Sequence, residues 1–523
     1  MSRFTVFGIY VGNTSASIAI CKEDGKVEVL ANAAGERSTP AVVAVTEKEQ
    51  IVGNAAKSSM ITQTNAGTII TNNKLLMDLS LDESDLESII TKNPCTIIQK
   101  SNHVAYEINF GNKTKTFTPA MINTSIYSLL YNIAKSAIHG ECDEICCVLV
   151  VPTYYSAESR QYIKQSAIEA GWKVLQIVNQ PSVAPLAYHS FKEASPETKY
   201  ICVYRVGGVS CDAAILRLRN GFIQILASET NFDIGGHELV SKLIQCFCEE
   251  MKRKYKVDPN ESKRSIRKLR SAAETCIKVL STLSSASVSV DSLFEGIDFN
   301  YQMSRARFES LIPSLFGPLD APINDALQSA QLQATDINEV ILCGEPLKTP
   351  RLQSHVKSLF PNAEVLSSIN PDEVLARGAA RQAGFITEFC DLHKSIPEPV
   401  TDVTFITEPI TVQIQSSNNE EIVFEKFSSL PISKTVHLKD NKSEIIVTAA
   451  QSCSAESKLN GKINAEQAIE IHLLNKEMEE LQMYTMDLVA GVFLFVPQID
   501  GLSRKPRTSI AMFQNFSTYF IFS

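Results

Sequence analysis

The sequence predicts a duplicated α/β domain over about its first three quarters, followed by a short antiparallel β unit. Two segments carry the duplication, GIYVGNTSASIAI around Gly12 and YRVGGVSCDAAIL around Gly207 and Gly208. Each is an apolar strand, a glycine turn with small hydroxyl residues and a second apolar strand, so that backbone N–H groups at the turn can surround an anion. Because the copies lie in successive halves of this region, we expect phosphate to be held between the halves.

Length and composition indicate an ordinary globular protein of several domains. The 523 residues are too many for one hydrophobic core, and 44% of them are hydrophobic and 20% charged. A net charge of -9 argues against a broad DNA-binding surface. The apolar run Leu488–Val496 is far shorter than the roughly 20 residues of a membrane span, and the glycine-broken N-terminus does not resemble a signal peptide. We therefore expect a cytosolic protein that binds neither membrane nor DNA.

The thirteen cysteines do not follow a metal-binding pattern. Their close groups, Cys142 with Cys146 and Cys147 and then Cys246 with Cys248, lack the paired C-x-x-C spacing of zinc sites. Reduced, mostly buried thiols and no protein-held metal are the expectation.

Apolar patterns predict alternating strands and helices through the rest of the first region. Continuous apolar runs predict buried strands, and apolar residues spaced three or four apart predict helices. In chain order, the predicted elements are a strand at Glu144–Pro152, a helix at Ser156–Ala170 ended by Gly171, an amphipathic helix at Ser262–Ser281, a strand at Val340–Cys343 before Gly344, and a helix at Thr349–Phe360.

The character of the sequence changes after about Glu388. Residues 389–400 are expected to be a linker, and residues 401–487 alternate apolar and polar side chains in short runs, which predicts an antiparallel β domain. Residues 488–523 combine an apolar nonamer, a basic cluster and an aromatic end without an amphipathic period. We expect them to be an atypical C-terminal tail.

Five segments in a fixed order resemble the heat-shock 70 kDa chaperone family. They are GIYVGNTSASIAI, YRVGGVSCDAAIL, NFDIGGHELV, VDSLFEGIDFNYQMSRARFESL and INPDEVLARGAARQAG, of which SLFEGIDF followed by RARFE is the most specific. The resemblance covers residues 5–387 well, the β unit loosely and residues 488–523 not at all. The altered glycine turns, the short β unit and the missing C-terminal helical lid are most similar to the divergent, ribosome-associated, Ssz-like branch of that family.

The resemblance implies an actin-like (ribonuclease H-like) ATPase domain of two lobes, with ATP in the cleft between them. The nucleotide-binding domain would span residues 1–388, with lobe I at about 1–190 plus 363–388 and lobe II at about 191–362. By the same resemblance, the nucleotide would be bound at the phosphates by Gly12, Asn13, Thr14, Gly207, Gly208, Ser210 and Asp212, near the ribose by Gly235 and Gly236, at the adenosine by Glu274, Lys278 and Ser281, and around the adenine by Gly344, Lys348 and Asp372.

The residues that hydrolysis needs in active members of the family are largely replaced. The resemblance places the two strand-end aspartates at Tyr10 and Arg205, a cross-lobe glutamate at Gln180, and the lysine that assists the attacking water at Asn73. Losing three acidic groups should weaken Mg²⁺ binding and water orientation together. Arg205 could neutralise phosphate in place of the metal.

We therefore expect no catalytic residue at these four positions, bound ATP, weakly held Mg²⁺ and little or no hydrolysis. Lys348 stands where the family usually has an arginine, which removes planar stacking on the adenine. The alternative is that the turns are empty hairpins in a domain that binds nothing.

The resemblance also implies partners. The leading interpretation is an ATP-binding chaperone component that assists co-translational folding in the cytosol. It would pair with a zuotin-type J-protein, act at the ribosome or on nascent chains, and stimulate another, catalytically active heat-shock 70 kDa chaperone. The rival is an autonomous ATP-hydrolysing chaperone that binds unfolded client peptides. A basic concentration at residues 252–270 is either a solvated helix face or a contact with ribosomal RNA.

Overall fold

The computed structural model describes residues 4–393, apart from short gaps, and a series of strands between residues 410 and 522. The gaps are residues 23, 63–67, 79–85, 88, 91–92, 101–102, 111–112, 139–141, 189–196 and 220–221. The chain forms two compact units, of which the first takes in nearly all residues up to Pro397 and the second the strands that follow.

The first half of the first unit is a mixed α/β lobe. Its elements are β1 (Phe4–Val11), β2 (Ser15–Cys21), β3 (Val27–Val29), β4 (Thr39–Pro40), β5 (Val43–Val45), β6 (Gln50–Val52), α1 (Asn54–Thr62), β7 (Ile69–Ile70), a 3₁₀ turn at Asn73–Met77, β8 (Thr96–Lys100), β9 (His103–Phe110), β10 (Lys113–Phe117), α2 (Pro119–Ala137), β11 (Glu144–Val151), α3 (Ala157–Glu169), β12 (Lys173–Asn179) and α4 (Gln180–Tyr188).

The second half is a lobe of the same kind, followed by a long helix. Its elements are β13 (Lys199–Val206), β14 (Cys211–Arg219), β15 (Phe222–Asn231), α5 (Gly236–Tyr255), α6 (Lys263–Thr282), β16 (Ser285–Phe294), β17 (Ile297–Ser304), α7 (Arg305–Glu309), α8 (Phe316–Ser329), β18 (Glu339–Cys343), α9 (Pro350–Leu359), β19 (Glu364–Leu366) and α10 (Val374–His393), with 3₁₀ turns at Pro259–Glu261, Pro313–Leu315, Ala334–Asp336 and Glu345–Lys348.

The central sheets of the two lobes have the same strand order. The first runs β12-β11-β1-β2-β3 and the second β19-β18-β13-β14-β15. In both sheets the leading strand is antiparallel to the next strand in sequence and parallel to the late strand on its other side. This shared topology confirms the duplicated α/β architecture that the two glycine segments predict.

The predicted strands and helices lie where the apolar patterns place them, within one or two residues. β11 and β18 are the continuous apolar runs, and both are buried along nearly their whole length, as expected for parallel strands covered on both faces. α6 begins after Ser262, whose hydroxyl accepts a hydrogen bond from the N–H of Ser265 at 3.3 Å. Its buried face includes Leu269, Ala273 and Leu280, which agrees with the predicted amphipathic character of this helix.

Each lobe has its own hydrophobic core, and α10 packs on the first lobe. A Cβ at Gly8 on β1 would overlap the backbone of Ala380 on α10, and a Cβ at Gly378 would overlap the carbonyl of Val183 on α4. These close approaches require glycine because any side chain would push the helix away. They hold α10 against the strand that leads into the first glycine turn.

The second unit consists of two sheets in its described strands. One has the order β21-β20-β23-β24 and the other β22-β25-β26-β28-β27, so strands from the expected tail lie beside strands from the expected β domain. The expected linker at residues 389–400 is wrong in its first part, because α10 continues to His393, and its remaining residues lie outside the described residues. The strands are β20 (Ile410–Gln415), β21 (Glu420–Phe424), β22 (Ile432–His437), β23 (Glu444–Ala449), β24 (Ser457–Leu459), β25 (Ala468–Asn475), β26 (Gly491–Gln498), β27 (Ser509–Met512) and β28 (Tyr519–Phe522).

The described residues hold no disulfide and no membrane-spanning helix. Eleven of the cysteines in this part of the chain are free thiols, and nine of these are buried. None of the helices in this part of the chain combines the length and the apolar character needed to cross a bilayer.

Candidate functional site

The two glycine turns have the same backbone geometry. In the first turn the N–H of Gly12 donates to the carbonyl of Ser15 at 2.8 Å, and in the second the N–H of Gly207 donates to the carbonyl of Ser210 at 2.8 Å. The duplication therefore extends to the hydrogen bonding of the turns.

The two turns come into direct contact. A Cβ at Gly208 would overlap the methyl group of Thr14, and a Cβ at Gly235 would lie 2.8 Å from the carbonyl of Gly208. Only glycine allows the lobes to approach this closely. Beside the contact, Oδ1 of the buried Asn13 has no hydrogen-bond partner among the described residues. The predicted phosphate-binding residues of the two lobes are thus brought together.

An ion pair lies beneath the second turn. Arg205 on β13 is opposite Asp212 on β14, and its Nη2 pairs with the Asp212 carboxylate and donates to Oγ of Ser210 at 3.0 Å. A Cβ at Gly207 would overlap the guanidinium. Burial opposes the charge on Arg205, but the neighbouring Asp212 carboxylate keeps the pKa of Arg205 above its ordinary value. A permanent cation therefore stands where the family resemblance places a carboxylate.

Tyr10 ends the strand that leads into the first turn. Burial raises the pKa of the Tyr10 phenol, and Arg205 partly opposes that rise. The phenol therefore stays neutral near pH 7. Tyr10 cannot act there as an anionic ligand for a metal.

Asn73, which the resemblance aligns with the lysine of active members, points away from the first turn, whereas its neighbour Lys74 reaches it. The amide of Asn73 donates to the carbonyl of Pro119 at 2.9 Å and accepts from the Tyr106 hydroxyl at 3.0 Å, which directs it into the core of lobe I. Nζ of Lys74 instead donates to the carbonyl of Val11 at 2.7 Å and lies 4.9 Å from the centre of the Tyr10 ring. No sequence pattern distinguishes Asn73 from Lys74, because the two are adjacent in a short turn.

Gln180 is the first residue of α4, at the carboxyl end of β12. Its side chain is buried, and its Nε2 has no hydrogen-bond partner among the described residues.

The preceding Asn179 accepts from Nη2 of Arg160 at 2.6 Å, and Arg160 also donates to the carbonyls of Pro152 and Tyr155. Arg160 is fully buried, yet the sequence contains no signal for it, because an arginine in an amphipathic helix resembles a surface residue.

The adenosine-side residues of α6 are engaged in ion pairs and one local hydrogen bond. Glu274 pairs with Lys57 of α1 at 2.6 Å, and Lys278 pairs with Glu345 at 3.2 Å. The hydroxyl of Ser281 donates to the carbonyl of Lys278 in its own helix at 2.7 Å. The first of these pairs joins the two lobes directly.

The remaining predicted residues surround the end of β18 and the start of α5. Gly344 has a positive φ of 98°, and its N–H donates to the carbonyl of Pro371 at 2.7 Å. Lys348 pairs with Asp372 at 2.8 Å, and Oδ1 of Asp372 has no hydrogen-bond partner among the described residues. The N–H of Gly236 donates to the carbonyl of Gly207 at 2.8 Å, which ties α5 to the second turn.

The cleft fits a nucleotide better than it fits a protein-held metal. Buried polar atoms of Asn13, Gln180 and Asp372 have no hydrogen-bond partner among the described residues and could bind a ligand. For Mg²⁺ the donor set is poor, because the Asp212 carboxylate is paired with Arg205. Within the described residues, His, Cys, Asp and Glu side chains form no group of three that could hold a metal ion.

Two α/β lobes of one topology, each presenting a glycine turn to the other, define a two-lobed nucleotide-binding fold. The family model described as Hsp70 protein matches residues 6–477 of the chain. The chain therefore belongs to the Hsp70 family of chaperones, whose members bind ATP with Mg²⁺.

The chain is similar to several proteins named heat shock 70 kDa protein 14. The chain is 36% identical to heat shock 70 kDa protein 14 of Danio rerio over 379 residues, which cover 72% of this chain and 74% of that relative. It is 37% identical to heat shock 70 kDa protein 14 of Rattus norvegicus, over the same shares of the two chains. The altered turns and the SLFEGIDF and RARFE segments therefore led to the correct family.

Proposed function

We propose that this chain binds ATP as a structural ligand and hydrolyses it slowly or not at all, while assisting co-translational folding in the cytosol. The observation that carries the proposal is the Arg205–Asp212 ion pair beneath the second glycine turn. The pair consists of a permanently charged arginine and the one acidic residue that this chain keeps among those that the resemblance assigns to hydrolysis.

The chemistry of phosphoryl transfer supports slow hydrolysis. This reaction depends on positioning and charge neutralisation of the phosphates and on orientation of the attacking water. Tyr10 is neutral, Gln180 offers an amide, and Asp212 is paired with Arg205, so these three described side chains provide no free carboxylate to orient water. The glycine turns and adenosine helix are intact, which supports retained binding.

The proposed roles of the residues follow the resemblance. The phosphates would be bound by Gly12, Asn13, Thr14, Gly207, Gly208 and Ser210, with Asp212 holding Arg205; the ribose by Gly235 and Gly236; the adenosine by Glu274, Lys278 and Ser281; and the adenine pocket would be formed by Gly344, Lys348 and Asp372.

The proposed partners are a zuotin-type J-protein, the ribosome or its nascent chains, and a second, catalytically active Hsp70. The nucleotide-binding domain would span residues 1–388, and the β domain at residues 401–487 would serve as a docking platform. Curated relatives named heat shock 70 kDa protein 14 support placing the chain in that branch.

The basic concentration between α5 and α6 supports an RNA contact only in part. Lys252 pairs with Asp258 and Arg253 pairs with Glu250, both at solvent-exposed positions. Lys263 and Arg264 are exposed and have no acidic partner among the described residues. If this surface contacts ribosomal RNA, K263E/R264E should abolish salt-sensitive cosedimentation of the full chain with ribosomes, whereas K252E should reduce it less.

Single-turnover hydrolysis tests the central proposal. The full-length protein is loaded with radiolabelled ATP and compared with a catalytically intact Hsp70 under identical conditions. We expect hydrolysis at least about 100-fold slower, because positioned charge at the reaction centre contributes this much or more in enzymes. Turnover equal to that of the intact chaperone would favour the rival, an autonomous ATP-driven chaperone.

Affinity purification of the full chain tests the proposed complex. A stable J-protein together with ribosomal proteins is the expected result. Recovery of diverse unfolded clients alone, released by ATP, would contradict it.

A further inference from the structure

Two buried cations lie close together at the floor of the cleft. Lys74 and Arg205 are both buried, at 8% and 7% exposure, and the charged groups that act on Lys74 are Arg205 and Asp212. The neighbouring groups that favour the charge of Arg205 are Asp212 and the phenols of Tyr10 and Tyr154. Two cations thus share one carboxylate, and that carboxylate is paired with Arg205.

Burying a charged ammonium group without a carboxylate partner costs free energy. Burial, and then repulsion from Arg205, lower the pKa of Lys74 well below its ordinary value. The carbonyl of Val11 and the Tyr10 ring offer it only partial charges. An anion beside Lys74 would remove this cost, because it would supply the missing negative charge.

Lys74 differs from the other lysines around the cleft. Lys57, Lys278 and Lys348 each pair with a carboxylate, of Glu274, Glu345 and Asp372 respectively. Lys74 donates to a carbonyl instead. It is therefore the cleft lysine whose charge remains available to a ligand.

A further donor lies at the same edge of the lobe I sheet. β1, β11 and β12 are parallel, so Tyr10 near the end of β1 and Gln180 just after β12 lie at the same edge of the sheet. Gln180 is 4% exposed, and its Nε2 has no hydrogen-bond partner among the described residues. An amide N–H donates to phosphate oxygens but cannot bind a metal ion, so the unused group at this edge suits an anion.

We propose that Lys74, Arg205 and Gln180 form an anion site for the terminal phosphate of the nucleotide, which makes ATP binding independent of a divalent cation. The inference rests on the proposed nucleotide binding and specifies its chemistry. The net positive charge of Lys74 and the Arg205–Asp212 pair offsets part of the charge of the triphosphate here, a task that falls to Mg²⁺ in phosphoryl-transfer enzymes.

Calorimetric titration of the full-length protein with ATP, in excess EDTA and in Mg²⁺, tests the inference. We expect the two dissociation constants to agree within about threefold. Lys74→Met should weaken ATP binding in EDTA by about 10- to 100-fold, the range of a charge-assisted hydrogen bond, and should weaken ADP binding less because ADP lacks the terminal phosphate. Lys74→Arg keeps the charge and should retain affinity within a few fold.

Lys115→Met is the matched control. Lys115 also lies on lobe I, donates to a backbone carbonyl (that of Glu47) and stands over an aromatic ring (that of Phe110), but on the exposed surface. It should leave ATP binding unchanged. Urea unfolding of each variant shows whether a loss of binding reflects a loss of folding, and Lys74→Arg remains the test if Lys74→Met is unfolded.

The outcomes separate the two proposals. A dissociation constant for ATP that is more than about 50-fold higher in EDTA than in Mg²⁺ would overturn this inference. It would leave the proposed function intact. Equal losses for ATP and ADP in Lys74→Met would also overturn it. Absence of ATP binding under both conditions would contradict the proposed function itself.

Discussion

At the scale of single residues, three substitutions change the chemistry of the cleft together. Arg205, Tyr10 and Gln180 stand where the family resemblance places carboxylates, and each is neutral or positive. Arg205 does not simply remove an acid, since it also neutralises Asp212. The surrounding structure depends on this pair, because Arg205 also donates to Ser210 in the second turn.

Removing one member of the Arg205–Asp212 pair should therefore lower the free energy of unfolding more than removing both members. Arg205→Met leaves the Asp212 carboxylate largely buried without its partner, and we expect it to lower the free energy of unfolding by about 2–4 kcal/mol. R205M/D212N removes both charges and should recover at least half of that loss. Urea unfolding of R205M, D212N and R205M/D212N measures the coupling energy between the two residues. A loss of unfolding free energy in the double variant equal to the sum of the two single losses would contradict the prediction.

At the scale of elements, glycine turns and helix caps determine how the site is assembled. The turns are local features, but their approach to each other is not, since Gly208 meets Thr14 from the other lobe. α6, which carries Glu274 and Lys278, begins directly after the capping residue Ser262.

Gly208→Ala should separate the two turns. Its methyl group would overlap the Thr14 side chain, so we expect ATP affinity to fall at least about tenfold with a smaller effect on folding. Gly317→Ala is the control, because Gly317 lies in α8 with open space around its Cβ position, and there alanine should be neutral or stabilising. Unchanged ATP binding in G208A, measured by calorimetry, would contradict the contact between the turns.

Ser262→Ala should destabilise α6 at its start. Loss of the cap to the Ser265 N–H is expected to cost about 1 kcal/mol in the free energy of unfolding. Thr275→Ala, at an exposed position inside the same helix, should have no cost or a slight gain. Equal effects of the two substitutions in urea unfolding would argue against the cap.

At the scale of the whole molecule, the buried thiols link stability to pH. Nine cysteines are buried within the described residues. Burial raises the pKa of Cys95 and Cys276 to about 11 and that of Cys202 to about 12. In the unfolded chain these thiols ionise near pH 8.5, so alkaline conditions favour unfolding.

We expect the free energy of unfolding to fall as the pH rises above about 8.5, by about 1–2 kcal/mol per buried thiol at pH 10. The sign follows because the folded protein retains the thiol protons that the unfolded chain loses. Urea unfolding in reductant at pH 7.5, 9 and 10 measures the slope. Cys202→Val should reduce it, and a stability independent of pH over this range would contradict the prediction.

The amino-acid sequence by itself determined the duplicated α/β fold, the glycine turns, the main helices and the family. These depend on apolar periodicity, on glycine and on extended motifs, all of which are local in the chain. Even the Arg205–Asp212 pair is implied by the hairpin, because a turn at residues 207–210 places the two positions opposite each other.

Only the tertiary structure decided which side chains reach the floor of the cleft. Asn73 and Lys74 are adjacent, and Tyr106 and Pro119, distant in sequence, capture the amide of Asn73 and leave Lys74 to face the turn. Arg160 is likewise recognised as buried only by its carbonyl partners on other elements. In each case the reason is that hydrogen-bond partners far along the chain determine the direction of a side chain, and no local pattern encodes them.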